Sequence, residues 1–371
     1  MPRNPVDPVE SVISSPRPTL RQVAAIAGVS ESTVSRALSQ RSEHQVSAAK
    51  LVQVRAVAEK LGLRPGDLPD RPRRSIGRRQ PVLGVIARDL SDTFFTFLAG
   101  AVIGEARKAG MQVLLGDANS RALQARALEE ILETRRCEAI VLLGDVEDAG
   151  LLADIQETKL PVLGLCGGDR TKATDAERRD VHVPFLNSDN REGIFELLRH
   201  VTANGHERIA FVTCPWDADV LARCAAFVEF MKKRGLAIPR DYMMTVSNDP
   251  AGGVRAMSTL LELSSPPTAV MAGTDNMAMG CIQAAWSLGR GVPANVSVTG
   301  FDGLPMSSYL WPSLVTMRQE IEEIAYQGLR LLARAKAGEA IPAQLIPVPP
   351  KFVAGASVRS LVESDGLQTD K

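Results

Sequence analysis

Residues 19–38 read TLRQVAAIAGVSESTVSRAL. Leu20, Val23, Ala24 and Ala27 fall on one side of a helix for which Thr19 is a suitable N-cap. Gly28 interrupts the pattern, and a second short helix starts at Ser30. One face of that helix carries Ser32, Ser35, Arg36 and Ser39, spaced i, i+3, i+4 and i+7. The opposite side carries Val34 and Leu38. Two short helices joined by a tight glycine turn, the second with a polar outer face, form the helix-turn-helix pattern. A helix that enters a DNA major groove end-on needs short or hydrogen-bonding residues on its leading face. Serine and threonine hydroxyls suit phosphates and base edges, and the Arg36 fork suits guanine. Glu31 repels phosphates unless it accepts from a cytosine amino group. An ordinary surface hairpin of helices is the competing reading.

A third helix is expected from about Ser47 to Leu61, with Leu51, Val54, Ala58 and Leu61 as its apolar stripe and Gly62 as its stop. The charge distribution agrees with a polyanion partner for this end of the chain. Residues 1–80 hold 14 Lys/Arg against 7 Asp/Glu, a net of +7, whereas the remainder holds 29 against 36, a net of −7. The whole chain is neutral. A basic head on an acidic body points to nucleic acid at the head alone. A solvated basic tail gives the same charge count.

Residues 1–18 are rich in Pro, Ser and Asp and are expected to be disordered. Residues 64–80, RPGDLPDRPRRSIGRRQ, combine three prolines, two glycines and six arginines, the composition of a linker or hinge. From Pro81 the texture changes. VLGVIA (82–87), MQVLLG (111–116), AIVLLG (139–144) and PVLGLC (161–166) are short apolar runs separated by helical patterns at about 94–109, 122–135 and 148–158. A further helix ends near Asn204. The alternation then restarts with RIAFVT (208–213), YMMTV (242–246), TAVMAG (268–273) and VSVTGF (296–301). Two alternating blocks predict two α/β lobes with parallel sheets. A long helix at 319–336 follows the second block and is placed to return to the first lobe.

The 371 residues suffice for two or three domains, and 45% apolar content supports a filled core. Five cysteines are scattered singly, so neither a disulfide framework nor a zinc site is indicated, which fits a reducing cytoplasm. The four histidines show no metal-ligand spacing, and no cofactor is implied. The N-terminus lacks an apolar signal core, and there is no apolar run long enough to cross a membrane. Neither a nucleophile elbow nor a phosphate-binding G-x-x-x-x-G-K-[ST] loop is present, so no catalytic residue is named and an enzyme is not expected.

The stretch TLRQVAAIAGVSESTVSRAL, followed by VSAAKLVQVRAVAEKLGLRP, resembles the DNA-binding head of the lactose-repressor (LacI) family. In the body, LGVIARDLSDTFF, DNREG before GHERIAFV, TDNMAMG, VPANVSVTGFDGLP and LVTMRQEIEEIA resemble family motifs in the same order, so the likeness runs from residue 19 to about 340. It implies an all-α helix-turn-helix head joined to a two-lobe α/β body like that of a periplasmic sugar-binding protein. It further implies a dimeric transcriptional regulator, most often a repressor, whose affinity for double-stranded operator DNA is set by a small sugar-like effector between the lobes. The expected division is a tail (1–18), head (19–63), hinge (64–80), first lobe (81–204, with a return at 308–336) and second lobe (205–307, with 337–371).

Carried over by position, Glu31, Ser32 and Arg36 meet bases, and Thr19, Thr33, Ser35 and Ser47 meet phosphates, with Ser39 on the same face. Thr33 and Ser35 have helix capping or back-bonding as their alternative. The effector candidates are Phe94 or Phe95, Arg223, Thr274, Asp275 and Asp302, with Arg88, Cys166 and Asn248 at positions where this chain departs from the family. Arg88 stands where the family often has proline, Cys166 where many sugar binders have aspartate, and Asn248 where an aromatic platform occurs. A lost carboxylate and a gained arginine suggest an acidic effector, a sugar acid or sugar phosphate, unless Arg88 pairs with Asp89 or Asp117. Asp275 has an N-cap, Asp302 a strand-end turn and Arg223 a surface salt bridge as its competing role. The hinge also departs: Leu68 is followed by Pro69 and Pro72, and an interior proline costs a helix about 3 kcal/mol, so a regular hinge helix is not expected.

Overall fold

The computed structural model describes residues 19–38, 46–61, 80–118, 120–134, 136–146, 149–168, 183–342 and 346–362. The expectations for the 1–18 tail, for Ser39 and for the hinge around Leu68 lie outside these residues. The chain divides into two units, residues 1–79 and 80–371.

The first unit contains α1 (Leu20–Ile26), α2 (Glu31–Ala37) and α3 (Ala48–Lys60). Thr19 and Gln22 close a capping box on α1, and the Ser30 hydroxyl accepts the Thr33 N–H at the start of α2. Gly28 turns the chain between them at φ +62°, a conformation that disfavours a side chain. Val23, Ala24, Ala27, Val34, Ala37, Leu38, Val54, Ala58 and Leu61 form the core. The period of 3.6 thus places the apolar stripes of all three helices inside, as expected.

The second unit has two sheets. The first lobe is built on β1 (Val82–Ala87), β2 (Gln112–Asp117), β3 (Cys137–Leu143), β4 (Val162–Leu165) and β5 (Phe185–Leu186), all parallel in the order β2-β1-β3-β4-β5. β1 is buried along its whole length, as a central strand covered on both faces must be. One face packs on α4 (Thr93–Lys108) and α11 (Ile321–Lys336), the other on α5 (Arg121–Glu133) and α6 (Ala149–Glu157). The late helix therefore does return to the first lobe.

The second lobe holds β6 (Ile209–Thr213), β7 (Met243–Thr245), β8 (Ala269–Ala272) and β9 (Ser297–Thr299), parallel in the order β7-β6-β8-β9. α9 (Pro250–Glu262) and α10 (Asp275–Ser287) cover one face. α7 (Asn190–Ala203) and α8 (Ala218–Lys233) cover the other, where Phe211, Phe227 and Phe301 are fully buried. Each such ring contributes about 1.5–3 kcal/mol.

Three boundaries differ from those drawn on the sequence. α7 shares its core with β6 and α8, so the lobe change falls before Asn190 rather than after Asn204. Leu314, Val315 and Met317 belong to the second-lobe core, so the return proper begins with α11. Val348 packs in the first lobe, whereas β11 (Lys351–Val353) pairs antiparallel with β10 (Thr316–Arg318) beside the second. The chain thus passes between lobes near residues 187–190, 318–321 and 348–351. The short strands β5, β10 and β11 were not anticipated; none is longer than three residues, too few for an alternation to show.

Candidate functional site

In the head, α2 presents Glu31, Ser32 and Ser35 to solvent, opposite buried Val34 and Leu38. Arg36 lies along this helix, its Nε donating to the Ser32 carbonyl (3.1 Å) and its Nη2 to the Ser32 hydroxyl (3.3 Å). Folding the guanidinium back against its own helix holds it beside the two serines. The Thr33 hydroxyl joins the cap of α2, 2.9 Å from that of Ser30, and the Thr19 hydroxyl joins the cap of α1. These two residues therefore have a structural role as well as an outward-facing oxygen. Ser47 is exposed in the N-cap position of α3 and makes no side-chain cap bond.

In the body, open parallel sheets place ligand sites beyond the carboxyl ends of their strands, where the strand order reverses. The reversals lie between β1 and β3 in one lobe and between β6 and β8 in the other. The residues that follow these strands meet across the lobes. Arg88, next after β1, pairs with Asp145 after β3 (3.3 Å) and with Asp217 after β6 (3.5 Å). Asp145 also accepts the backbone N–H of Gly168 (2.7 Å) and that of Ala218 at the start of α8 (2.8 Å). A Cβ on Gly167 would run into the Gly144 backbone, so the floor here is backbone against backbone.

A second bridge lies at the start of α4. Asp92 caps that helix through the Phe94 N–H (3.0 Å) and accepts from Asn276 (3.2 Å) and Asn248 (3.5 Å) of the other lobe. Thr274, the N-cap of α10, donates to the Asn248 carbonyl oxygen (2.7 Å) and so fixes the amide's orientation.

Arg223 sits at the centre of the second-lobe wall. Its Nε donates to Asn190 (2.8 Å), its Nη1 to the Gly273 carbonyl (2.8 Å) and to Asp302 (3.2 Å), and its guanidinium lies 3.9 Å from the centroid of the Phe301 ring. Its Nη2 has no protein partner among the described residues. Asp302 holds φ at +124°, and its Oδ1 accepts from both Arg223 and Gln319 (2.7 Å). Asp219 accepts from Asn190 (2.8 Å) and Asn187 (3.2 Å).

Burial dominates the titration of these carboxyls. It pushes Asp92 and Asp145 up to about 6 and Asp219 up to about 7, and it raises Asp302 well above the usual range despite the Arg223 charge. Neighbouring carboxylates add to the rise: Asp217 acts on Asp92, Asp145 and Asp219.

The sequence-derived candidates divide. Arg223, Thr274, Asn248, Arg88 and Asp302 come together around the interlobe contacts. Asp275 does not act there: it is fully buried, with its oxygens taken by Thr316 (2.6 Å) and the Leu304 N–H (2.8 Å), and it anchors the interlobe crossing. It is not the N-cap either, since Thr274 fills that position. Arg223 is no surface salt bridge. Phe94 and Phe95 are both buried, edge to face at 5.4 Å, within the first-lobe core. Cys166 is buried at φ +52°, and Asp219 acts on it more strongly than any other charge, so a carboxylate from the other lobe stands near the one missing at 166. Arg88 pairs with neither Asp89 nor Asp117 but with Asp145 and Asp217, which removes the free positive charge on which an acidic effector rested. Asp92, Asp145, Asp217, Asp219 and Gln319 went unnoticed. The strand-end rule applied to ARD, LLGD and TCPWD would have found Arg88, Asp145 and Asp217 together.

Two matches to known families fit this geometry. Residues 19–66 match the family described as bacterial regulatory proteins, lacI family, and residues 198–358 match a periplasmic binding protein-like domain. The transcriptional regulator GalS of Salmonella typhimurium is 30% identical over 321 residues, covering 86% of this chain and 90% of the relative. The chain belongs to the lacI family of bacterial regulatory proteins. The transcriptional repressor CytR of Escherichia coli is 28% identical over 323 residues, with the same 86% and 90% coverage. Among solved structures, a complex of the transcriptional regulator CelR with cellobiose superposes with a TM-score of 0.66 at 24% identity, covering 92% of this chain and 100% of that one. A lac repressor dimer bound to operator and an anti-inducer gives 0.66 at 22%, covering 93% and 100%. At these identities the structural likeness establishes the fold: a helical head and a two-lobe α/β body. As a lacI-family member the chain is a DNA-binding transcription regulator. No helix among the described residues is long and apolar enough to cross a membrane.

Proposed function

We propose that this lacI-family regulator is a cytoplasmic repressor that binds operator DNA as a homodimer and is released or tightened by a small hydroxyl-rich effector held between its lobes. The single observation that carries this reading is that the two sheets' carboxyl ends meet, through Arg88, Asp145 and Asp217, beside a second-lobe wall centred on Arg223. That arginine is buried and held on three sides by Asn190, Gly273 and Asp302, and one of its nitrogens has no protein partner among the described residues. A buried guanidinium beside a carboxylate is the donor–acceptor pair that grips vicinal hydroxyls. A relative's complex with cellobiose supports the ligand class.

An effector that contacts both lobes favours one interlobe angle over others, and in a dimer that angle sets the separation of the two heads. Glu31, Ser32 and Arg36 read the major groove, and Thr19, Thr33, Ser35 and Ser47 reach the phosphates. Tyr309 and Trp311, both nearly fully exposed, with half-exposed Trp286 and Leu288, give the second lobe an apolar surface for its dimer partner. The test is an electrophoretic shift with DNA upstream of the protein's own gene, alone and with candidate sugars. A shift that sugars modulate supports the reading. Sugar binding without any DNA binding would leave a sensor that has lost its operator.

A further inference from the structure

The chain passes between the lobes three times, and each crossing is bonded to the Arg223 wall or to a crossing that is. Asn190, at the first crossing, begins α7; its Oδ1 accepts from Arg223 Nε (2.8 Å) and its Nδ2 donates to Asp219 (2.8 Å). Asn187, three residues earlier, donates to the same carboxylate (3.2 Å) and to the Gly167 carbonyl of the first lobe (2.8 Å). The third crossing lies against the first through two backbone bonds, Val348 N–H to the Asn187 carbonyl and Asp189 N–H to the Val348 carbonyl, each 2.8 Å. Pro350 follows, and a Cβ on Gly193 of α7 would strike both it and the Phe301 ring on which the Arg223 guanidinium rests.

The second crossing is joined to the wall at Asp302. The Asp302 N–H donates to the Met317 carbonyl (2.8 Å), and the Gln319 N–H donates to the Asp302 carbonyl (3.1 Å). The Gln319 Nε2 donates to Asp302 Oδ1 (2.7 Å), the same oxygen that accepts from Arg223 Nη1 (3.2 Å). Gly303 lets the loop sit directly on the crossing: a Cβ there would lie 2.4 Å from the Arg318 Cα. Asp302 itself has φ +124°, a conformation that a residue with a side chain keeps only where its surroundings over-determine it. These four bonds do so. Gln319 is buried, and two residues later Ile321 opens α11, which packs in the first lobe. One carboxylate oxygen thus receives a donor from the effector wall and a donor from the crossing.

We propose that Gln319 is the positioning residue through which effector occupancy reaches the interlobe angle. This rests on the effector reading above and names the coupling residue of that same site. A ligand hydroxyl that bonds the Arg223–Asp302 pair competes for an oxygen already shared with the Gln319 amide. Asp302 cannot move toward the ligand without stretching that bond, and the backbone bonds among 302, 317 and 319 carry the movement to the start of α11. The crossing therefore favours different lobe positions with and without ligand, the differential that linkage requires. Glu320, the next residue, pairs with Arg318 (3.0 Å) and with Lys351 of the third crossing (2.6 Å). Both partners are solvent-exposed, so these pairs contribute little, and neither reaches Asp302. Glu320 is thus an internal control on the same crossing.

The test uses the full-length protein and a duplex that it selects from random sequence. Calorimetry with glucose, galactose, ribose and cellobiose picks the sugar, and anisotropy gives operator Kd with and without a saturating amount of it. The wild type and Glu320→Gln should each change operator Kd at least tenfold, and Gln319→Met, which keeps the side-chain volume but has no donor, less than threefold. By linkage Gln319→Met should also bind the sugar equally tightly free and on operator, a ratio that lost stability alone does not alter. Hydrogen exchange on the wild type gives an answer that needs no folded variant: saturating sugar should change exchange of the Asp302 and Gln319 amides at least threefold. Equal operator responses in wild type and Gln319→Met, equal loss in Gln319→Met and Glu320→Gln, or unchanged exchange at both amides overturns the Gln319 assignment and leaves the effector reading standing. If no sugar of the panel both binds the wild type and changes its operator affinity, the effector reading fails and the assignment with it.

Discussion

Asp145, in the loop after β3, accepts a 2.8 Å hydrogen bond from the backbone N–H of Ala218, the first residue of α8 in the other lobe. The same carboxylate holds Arg88 and the Gly168 N–H, so one side chain joins two loops of its own lobe to a helix start in its neighbour. A carboxylate facing a helix N-terminus is favoured by the partial positive charge there. Replacing it strands two amide donors and leaves Arg88 with Asp217 alone. Asp145→Ala should therefore lower the melting temperature by several degrees, corresponding to about 1–3 kcal/mol, and should raise the radius of gyration of the unliganded protein measured by small-angle scattering. An unchanged radius would show that Asp145 does not hold the lobes.

The stability of the protein should fall as pH rises from about 5 to 8. Asp92 and Asp145 titrate near 6 and Asp219 and Asp275 near 7 in the folded chain, because burial disfavours their charge. The folded form thus holds protons that the unfolded form has already released, and stability declines with pH across that window. Ordinary paired surface carboxylates have the opposite sign, but the Glu229 pair with Arg191 is solvent-exposed and counts for little. Thermal melts in a constant-ionic-strength buffer series should show a drop of about 5–10 °C. A rise with pH would mean that these carboxyls are stabilised as anions.

Arg36 leans on Ser32 in the free head, within reach of a base edge beside it. Arg36→Ala should relax sequence preference at one base position per half-site, at a cost of about 1–3 kcal/mol there. Binding to a library of single-base operator variants measures this directly. Equal weakening on every sequence would make Arg36 a phosphate contact.

Tyr309 and Trp311 are exposed by nearly nine-tenths of their surface. If the dimer covers them, Trp311→Lys should shift the protein to monomer at micromolar concentration in sedimentation and weaken operator binding at least tenfold, through loss of the second half-site. A dimer of unchanged strength would place the interface elsewhere.

Much of the fold was legible in the sequence because its signals are local. Seven-residue helices with a capping box and a glycine turn, and fully apolar strands such as VLGVIA, need no knowledge of distant residues. The lobe boundary at α7 was misplaced because either sheet offers the same kind of apolar face to an amphipathic helix; only the contact with Phe227 and Phe211 decides. The site was half legible. Arg223 and Asp302 follow from family position, but their partners Asn190, Gly273 and Gln319 lie 33, 50 and 17 positions away from the residues they bond. Arg88 misled for the same reason. Its charge was visible, while the carboxylates that neutralise it lie 57 residues downstream in Asp145 and further on in Asp217.

The central claim is that occupancy of the Arg223 site governs operator affinity. The direct test is fluorescence anisotropy on a duplex selected by the protein from random sequence. Full-length wild type and Arg223→Lys would be titrated with and without a saturating amount of the sugar that binds wild type most tightly. The account predicts at least a tenfold change in operator Kd for the wild type and less than twofold for the variant, with equal Kd in the absence of sugar. The same change in both proteins would contradict it.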